Sequence, residues 1–383
     1  MRFVTLFCGT ENIHLLKDVG LIPYYLHHDH QVDASIATYR NCGEYPYLEK
    51  EVRGLKLEFI SRSRFGKIVD GLRYLAGEGK KIDVLNLYHL NLSSFIWSVY
   101  FRLFCPRGRI FLKLDMDHFD LEKLKKPGPV CWVKKQTVKM AHLVTVESTW
   151  MKAQIEPLLK REVVYLPNGA WQPPQVESFD KEKIILTVGR LGTEQKATEV
   201  MLEAFAKAGL DEDWRLVLAG SVEPGFEATK AEFMEAHPEM SGRITFTGMV
   251  GKPELEALYR KAAIFALPSR WESFGIVLAE ALFEGCYLIG SECIPPLGDL
   301  IDNGRLGCAV KTADVDDLAK ALGRCCRDER LLGEKQAAEA RKFAEQHFRW
   351  ETIIEEFYFK NLSELLRPQS DYRDGAEKWQ KQR

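Results

Sequence analysis

The sequence predicts an α/β fold of two domains, each built on a parallel sheet. Three observations lead there. Short apolar runs alternate with helix-period segments along the whole chain, which is the pattern of strand–helix–strand units. The length of 383 residues suffices for two separate cores. Residues 169–178, GAWQPPQVES, are proline-rich and carry no period, which marks a linker between the halves.

Strands are expected in order at 2–7, 83–87, 110–114, 143–146 and 163–166, then at 184–188, 215–219, 244–246, 264–267, 287–289 and 308–310. Each is a short run rich in Val, Ile, Leu or Phe, bounded by polar or glycine residues. Helical patterns fill many of the intervals, as at 197–208, 253–261 and 315–326. There is no internal repeat and no low-complexity tract, and the polar end from Tyr372 is expected to fray.

The composition, 46% apolar and 28% charged, is that of a soluble globular protein. The longest apolar run, 95–105, carries Arg102 and falls short of the ~20 residues that span a bilayer. The first seven residues read as a strand rather than a cleavable signal. Nine scattered cysteines show no CxxC pair and no zinc spacing, so reduced thiols and a cytoplasmic address are expected.

The formal charge of −2 conceals an asymmetry. Residues 1–170 hold 25 Lys+Arg against 18 Asp+Glu, a net of +7; the remainder hold 28 against 37, a net of −9. A basic half suits an anionic partner, although two ordinary solvated surfaces give the same counts. Within that half, the aromatic run 95–104 precedes Arg107, Arg109, Lys123, Lys125, Lys126, Lys134, Lys135 and Lys139, with Trp132 among them. Such interleaving suits peripheral contact with an anionic membrane; a buried helix beside a solvated lysine face is the plainer reading. No nucleic-acid-binding module accompanies the bases.

The most informative stretch is SRWESFGIVLAEAL at 269–282. Ser273 reads as an N-cap, with helix beginning in the run that follows. Glu272 then lies on the loop before the helix and Glu280 within it, with the anion-binding helix start between them. Two carboxylates that accept hydroxyls around an anion site fit a sugar–diphosphate–ribose molecule. Upstream, IILTVGRLG at 184–192 reads as a strand ending in a glycine turn at Gly189, so Arg190 projects from the carboxyl edge of the sheet. Lys196 follows just before a helix, and an Arg and a Lys together can hold a diphosphate. LVLAGS at 216–221 and ITFTGMV at 244–250 are further strands ending in glycine, whose loops at Gly220, Met249 and Val250 suit main-chain contacts to a nucleobase or serve only as tight turns.

This ordered series, continuing through ELEALYRKAAIFALPS to RWESFGIVLAEAL with its E-x7-E spacing, resembles the C-terminal half of the family 4 retaining glycosyltransferases. VTVES at 144–148, LPNG at 166–169 and Arg349-Trp350-Glu351 agree with it. The resemblance implies the GT-B arrangement of two facing Rossmann-like domains: an acceptor domain at 1–170, a nucleotide-sugar domain at 171–345, and a closing helix at 346–383 that crosses back. It gives Arg190 and Lys196 the leaving diphosphate, Glu280 the ribose and Glu272 the donor sugar. Backbone amides from Phe274 through Gly275 to Ile276, beside Ser273, would join at the phosphates. The expected donor is a nucleotide sugar, UDP-sugar before GDP-sugar, used as co-substrate with no cofactor and no metal. The expected acceptor is a glycan, a lipid-linked sugar or a small molecule.

The first half departs from the family pattern. Where members carry a glycine-rich loop after the first strand, this chain has FCGTEN with a single glycine, which leaves Gly9, Glu11 and Asn12 as candidates. Where members tend to place a histidine after the strand at 110–114, this chain reads DMDH. Asp115 or Asp117 would take that histidine's contact or hold the acceptor hydroxyl; a helix-capping role is the plainer reading, and His118 reads as structural. Tyr88, His89 and Asn91 follow another strand end and Ser148 reads as a cap. A GT-B epimerase or phosphorylase and a non-catalytic nucleotide-sugar-binding or scaffold protein are the alternatives.

Overall fold

A computed structural model describes residues 1–170 and 178–365; most of the expected linker and the polar end from 372 lie outside the described residues. Among the described residues, thirteen strands form two sheets. The first contains β1 (Arg2–Leu6), β2 (Asp33–Thr38), β3 (Lys56–Phe59), β4 (Val84–Tyr88), β5 (Arg109–Lys113), β6 (Leu143–Val146) and β7 (Val164–Tyr165). The second contains β8 (Glu182–Val188), β9 (Arg215–Ala219), β10 (Ile244–Gly248), β11 (Ala262–Leu267), β12 (Tyr287–Ser291) and β13 (Gly307–Val310). The orders are β3-β2-β1-β4-β5-β6-β7 and β10-β9-β8-β11-β12-β13. Every neighbouring pair is parallel.

Strands β2 and β3 were not expected from the sequence. β2 reads Asp-Ala-Ser-Ile-Ala-Thr, too small and polar to register as an apolar run, yet Ala34 to Thr38 are all buried. Its polar groups are satisfied inside: Ser35 Oγ donates to Glu58 at 2.6 Å, and Thr38 Oγ1 accepts from the Thr10 N–H at 3.2 Å. β3 is a four-residue edge strand of alternating character.

In each sheet the order reverses at one place, between β1 and β4 and between β8 and β11. Loops leaving the carboxyl ends of strands diverge there and open a crevice where α/β sheets bind ligands. Apolar clusters cover both faces of both sheets. The core of the first sheet recruits the far end of the chain: Trp350, Ile353, Ile354, Phe357 and Leu362 pack with Phe3, Leu21, Val84 and Phe111. Ala170 and Arg349 form a bridge, so the chain passes between the two halves at adjacent points.

A buried charge cluster lies under the carboxyl end of β5. Lys113 has no exposed surface, and its Nζ lies 2.7 Å from Glu147 Oε1 and 3.3 Å from Asp18 Oδ2. Burial alone would lower the Lys113 pKa, but Glu147, Asp18 and Asp115 together hold it well above its ordinary value. Glu147 Oε1 also accepts the Asp115 N–H at 2.8 Å and so fixes the loop beyond β5. Removing one member of a buried ion cluster leaves the others unpaired, which costs about 3–5 kcal/mol. Lys113→Ala is therefore expected to lower stability by about that amount in urea unfolding. A loss below ~1 kcal/mol, the range of exposed ion pairs, would contradict the assignment.

Candidate functional site

The crevice of the second sheet is built by two loops fastened to each other. The first leaves β8 and runs through Arg190 to Lys196; the second leaves β11 and runs from Ser269 to Glu272. The Arg270 N–H donates to the Gln195 carbonyl at 2.8 Å, and its guanidinium donates to the Glu194 carbonyl at 2.9 Å and to Glu199 at 2.5 Å. The carboxylate of Glu272, buried in this junction, meets Lys196 Nζ at 2.5 Å. It also accepts from Ser269 Oγ at 2.8 Å and from Gln195 Nε2 at 3.4 Å. Arg190 is exposed and has no ion-pair partner among the described residues.

Two of the expected ligand contacts, Gly189 and Gly220, also have structural work. A Cβ on Gly189 would lie 2.9 Å from Lys196 Cε, so the missing side chain makes room for the lysine to cross the strand end. Gly220 adopts φ +131, and a Cβ there would lie 2.0 Å from the Gly189 carbonyl oxygen. Met249 is 83% exposed and Val250 is partly so, on the loop after β10.

The helix expected to follow Ser273 starts later, at Ile276–Phe283. Gly275 is its N-cap, in the left-handed region at φ +77 and without a side-chain cap, so Ser273 does not cap it. A glycine takes that conformation without steric cost, which the Ser273 reading overlooked. The first turn carries no acidic residue, so the N–H groups of Ile276 and Val277 and the positive end of the helix dipole remain available to an anion. Phe274 faces inward, with its ring 6.2 Å from that of Phe348. Its side chain belongs to the core, so only its backbone can serve a ligand. Glu280, four residues into the helix, accepts from the Tyr259 hydroxyl at 2.8 Å. Burial raises its pKa above the ordinary 4.5, opposed by that hydrogen bond and by the charge of Lys252.

The crevice of the first sheet holds the other expected residues. Asp115 (φ +46) and His89 (φ +62) both adopt left-handed backbone at neighbouring strand ends, with His89 Nδ1 3.9 Å from Asp115 Oδ2. Non-glycine residues held this way cluster at functional sites. Asp117 is the cap of the His118–Lys125 helix, its Oδ1 accepting the Asp120 N–H at 2.9 Å. The capping role weighed for Asp115 thus belongs to Asp117. Ser148 and Asn91 are caps as well. Gly9 is exposed with ordinary backbone, and a Cβ would meet Phe7 at 3.7 Å, so nothing local requires glycine there. Asn12 Oδ1 accepts the Tyr47 N–H, and the Glu11 N–H donates to His14.

The two crevices meet. The Phe119 ring lies 5.7 Å from that of Trp271, the neighbour of Glu272, and the Thr149 N–H donates to Asp299 at 2.8 Å. Sequence reasoning missed Ser269, Gln195 and Tyr259, which hold the carboxylates, Arg270, which fastens the two loops, and Glu147, which holds Asp115 and is itself balanced by Lys113 with Asp18. Ser269 stood three residues before Glu272, and Glu147 stood within the matched VTVES; nothing in the sequence marked their partners.

The Glu280 shift has a sign that can be tested. With its pKa raised by burial, the folded protein holds the proton more tightly than the unfolded chain. Ionisation therefore costs stability at neutral pH, and below about pH 4.5 both states are protonated and the cost disappears. Glu280→Gln keeps an acceptor for Tyr259. It is expected to raise Tm at pH 7, with the gain vanishing towards pH 4; a lower Tm at pH 7 would contradict the reading.

Residues 171–347 match the family model of glycosyl transferases group 1. Among curated proteins, an uncharacterized glycosyltransferase of Methanocaldococcus jannaschii is 30% identical over 177 residues, 46% of this chain and 44% of the relative. The D-inositol 3-phosphate glycosyltransferase of Corynebacterium jeikeium is 32% identical over 175 residues, 43% of this chain and 41% of the relative. The chain thus spans less than half the length of these curated relatives. Among solved structures, the Anabaena HepE protein in complex with UDP and glucose superposes with TM-score 0.72 at 16% identity, covering 95% of this chain and all of its own. The fold is accordingly GT-B.

Proposed function

We propose, for a chain whose residues 171–347 match the family model of glycosyl transferases group 1, that it is a retaining, metal-independent transferase of a hexose-type sugar. The donor is a nucleotide sugar, with UDP-sugar favoured because the structurally similar HepE forms a complex with UDP and glucose. The acceptor is a glycan, a lipid-linked sugar or a small molecule. In this reading residues 1–170 hold the acceptor and 171–345 hold the donor, and the chain from 346 returns to the acceptor domain through Trp350, Ile353 and Phe357.

The observation that carries the reading is the Lys196–Glu272 pair beside an uncapped helix start. A diphosphate entering there meets Arg190, Lys196 and the N–H groups of Ile276 and Val277. Lys196 turns from Glu272 to the phosphate, and Glu272, still held by Ser269 and Gln195, turns its free lone pairs to the sugar hydroxyls. Glu280 accepts from the ribose. Negative charge grows on the diphosphate as the glycosidic bond breaks, so cations and N–H groups fixed there stabilise the transition state more than the ground state. The acceptor attacks from the face the diphosphate leaves, and a phosphate oxygen takes its proton, so no carboxylate nucleophile is required. Asp115, with His89 beside it, orients the acceptor hydroxyl. Chemistry of this kind in cell-surface polysaccharide or glycolipid synthesis fits a cytoplasmic protein. Exposed Leu103, Phe104, Val130 and Trp132 near the lysines support peripheral contact with an anionic membrane.

A thermal-shift screen of nucleotide sugars is expected to show one that raises Tm, by mass action on the folded state. Lys196→Ala and Glu272→Ala are each expected to lower turnover of that donor at least a hundredfold, within the range measured for loss of one preorganised transition-state contact. Near-wild-type turnover in both variants would refute the site. Donor binding without transfer or hydrolysis by the native protein would favour the scaffold alternative.

A further inference from the structure

At the switch point of the first sheet lies a cavity of about 390 Å³, walled by the ends of β1 and β4 and by the segment around Arg62 and Lys67. Resting on the transferase reading, we propose that this cavity is an oxyanion pocket, and that the acceptor it takes carries a phosphate group.

The cations are built in. Arg62 stacks 4.5 Å above the Tyr39 ring and donates to Asn41 Oδ1 at 3.0 Å. Asn41 is anchored in turn to the carbonyls of Cys8 and Thr10, each at 2.9 Å. Buried Asp70 accepts from the Tyr39 hydroxyl at 2.7 Å and from the Ser63 N–H at 3.0 Å, and so holds the segment that presents the arginine. Neither Arg62 nor Lys67 has a carboxylate partner among the described residues, although both line the cavity. Lys67 opens the twelve-residue Lys67–Glu78 helix, whose N-cap Gly66 (φ +81) provides no side-chain cap. An arginine fork and a lysine charge at a helix start, with the first-turn acid Asp70 buried and bonded to Tyr39 and Ser63, match a phosphate in geometry and charge.

The rest of the cavity fits a sugar or cyclitol ring. Phe7, Tyr88 and Trp97 provide apolar wall. Tyr88 is 4% exposed, and its hydroxyl has no hydrogen-bond partner among the described residues. His89 closes the side towards Asp115, so a molecule held by its phosphate at Arg62 presents a hydroxyl to that carboxylate. The donor diphosphate has its own cations on the second sheet, so this pair serves a different anion.

The test measures binding of glucose 6-phosphate and of glucose by calorimetry, and in a second arm binding to vesicles of phosphatidylinositol and of phosphatidylcholine. The proteins are the full chain and its Arg62→Ala/Lys67→Ala double variant, with UDP binding as the control for the donor domain. Preference for glucose 6-phosphate over glucose, or for phosphatidylinositol over the zwitterionic phosphatidylcholine, falling at least tenfold in the variant while UDP affinity holds, supports the pocket; the responding arm distinguishes a soluble phosphate from a lipid headgroup. Equal binding of the members in both pairs, or a preference that survives the substitutions, overturns it. Loss of UDP binding by the native protein would instead count against the transferase reading.

Discussion

The site depends on one ion pair, Lys196 with Glu272, which ties the loop after β8 to the loop after β11 across the reversal of strand order. Much of the surrounding sequence serves that contact. Gly189 clears a path for the lysine, and Gly220 lets the neighbouring loop pass behind Gly189. Arg270 fastens the two loops through backbone carbonyls and Glu199. Ser269 and Gln195 give the carboxylate donors that do not depend on the lysine. In the proposed reaction, that redundancy would let Lys196 leave for an incoming phosphate without abandoning a buried carboxylate, whose isolation would be costly.

The first sheet solves the opposite problem. Asp115 is its more accessible carboxylate, and Glu147, Asp18 and the cation Lys113 are buried beneath it. Lys113 balances Glu147 and Asp18, and Glu147 then takes the backbone N–H of Asp115. The left-handed turns at His89 and Asp115 are held from below by this charge balance. Further out, Arg62 and Lys67 face the other way, into the cavity.

Legibility followed the physics of each element. β8, β9 and β11 were visible because buried parallel strands read as apolar runs, and Gly189 and Gly220 marked where the first two end. β2 escaped because its buried Ser35 and Thr38 find partners only after folding. Glu272 and Glu280 stood out by spacing, and their roles came from the ordered motifs around them. The helix start was misplaced because a serine is the commoner cap, whereas a left-handed Gly275 does the work. Asp115 and Asp117 were inseparable in sequence; three-dimensional contacts give the second to a cap and leave the first at the cleft. Lys113 sat within an expected strand, but its partners are 34 and 95 positions away, beyond the reach of any local pattern.

The central claim is that Lys196 is shared between Glu272 and the donor diphosphate. Calorimetric titration of UDP and UDP-glucose into Lys196→Ala, Glu272→Gln and the double variant tests it directly. The account predicts that loss of the lysine weakens both ligands. It predicts that Glu272→Gln weakens UDP-glucose but leaves UDP unchanged or tighter, because the lysine is no longer held back. If Glu272→Gln weakened UDP as strongly as UDP-glucose, or if Lys196→Ala affected neither, the shared-lysine account would be contradicted.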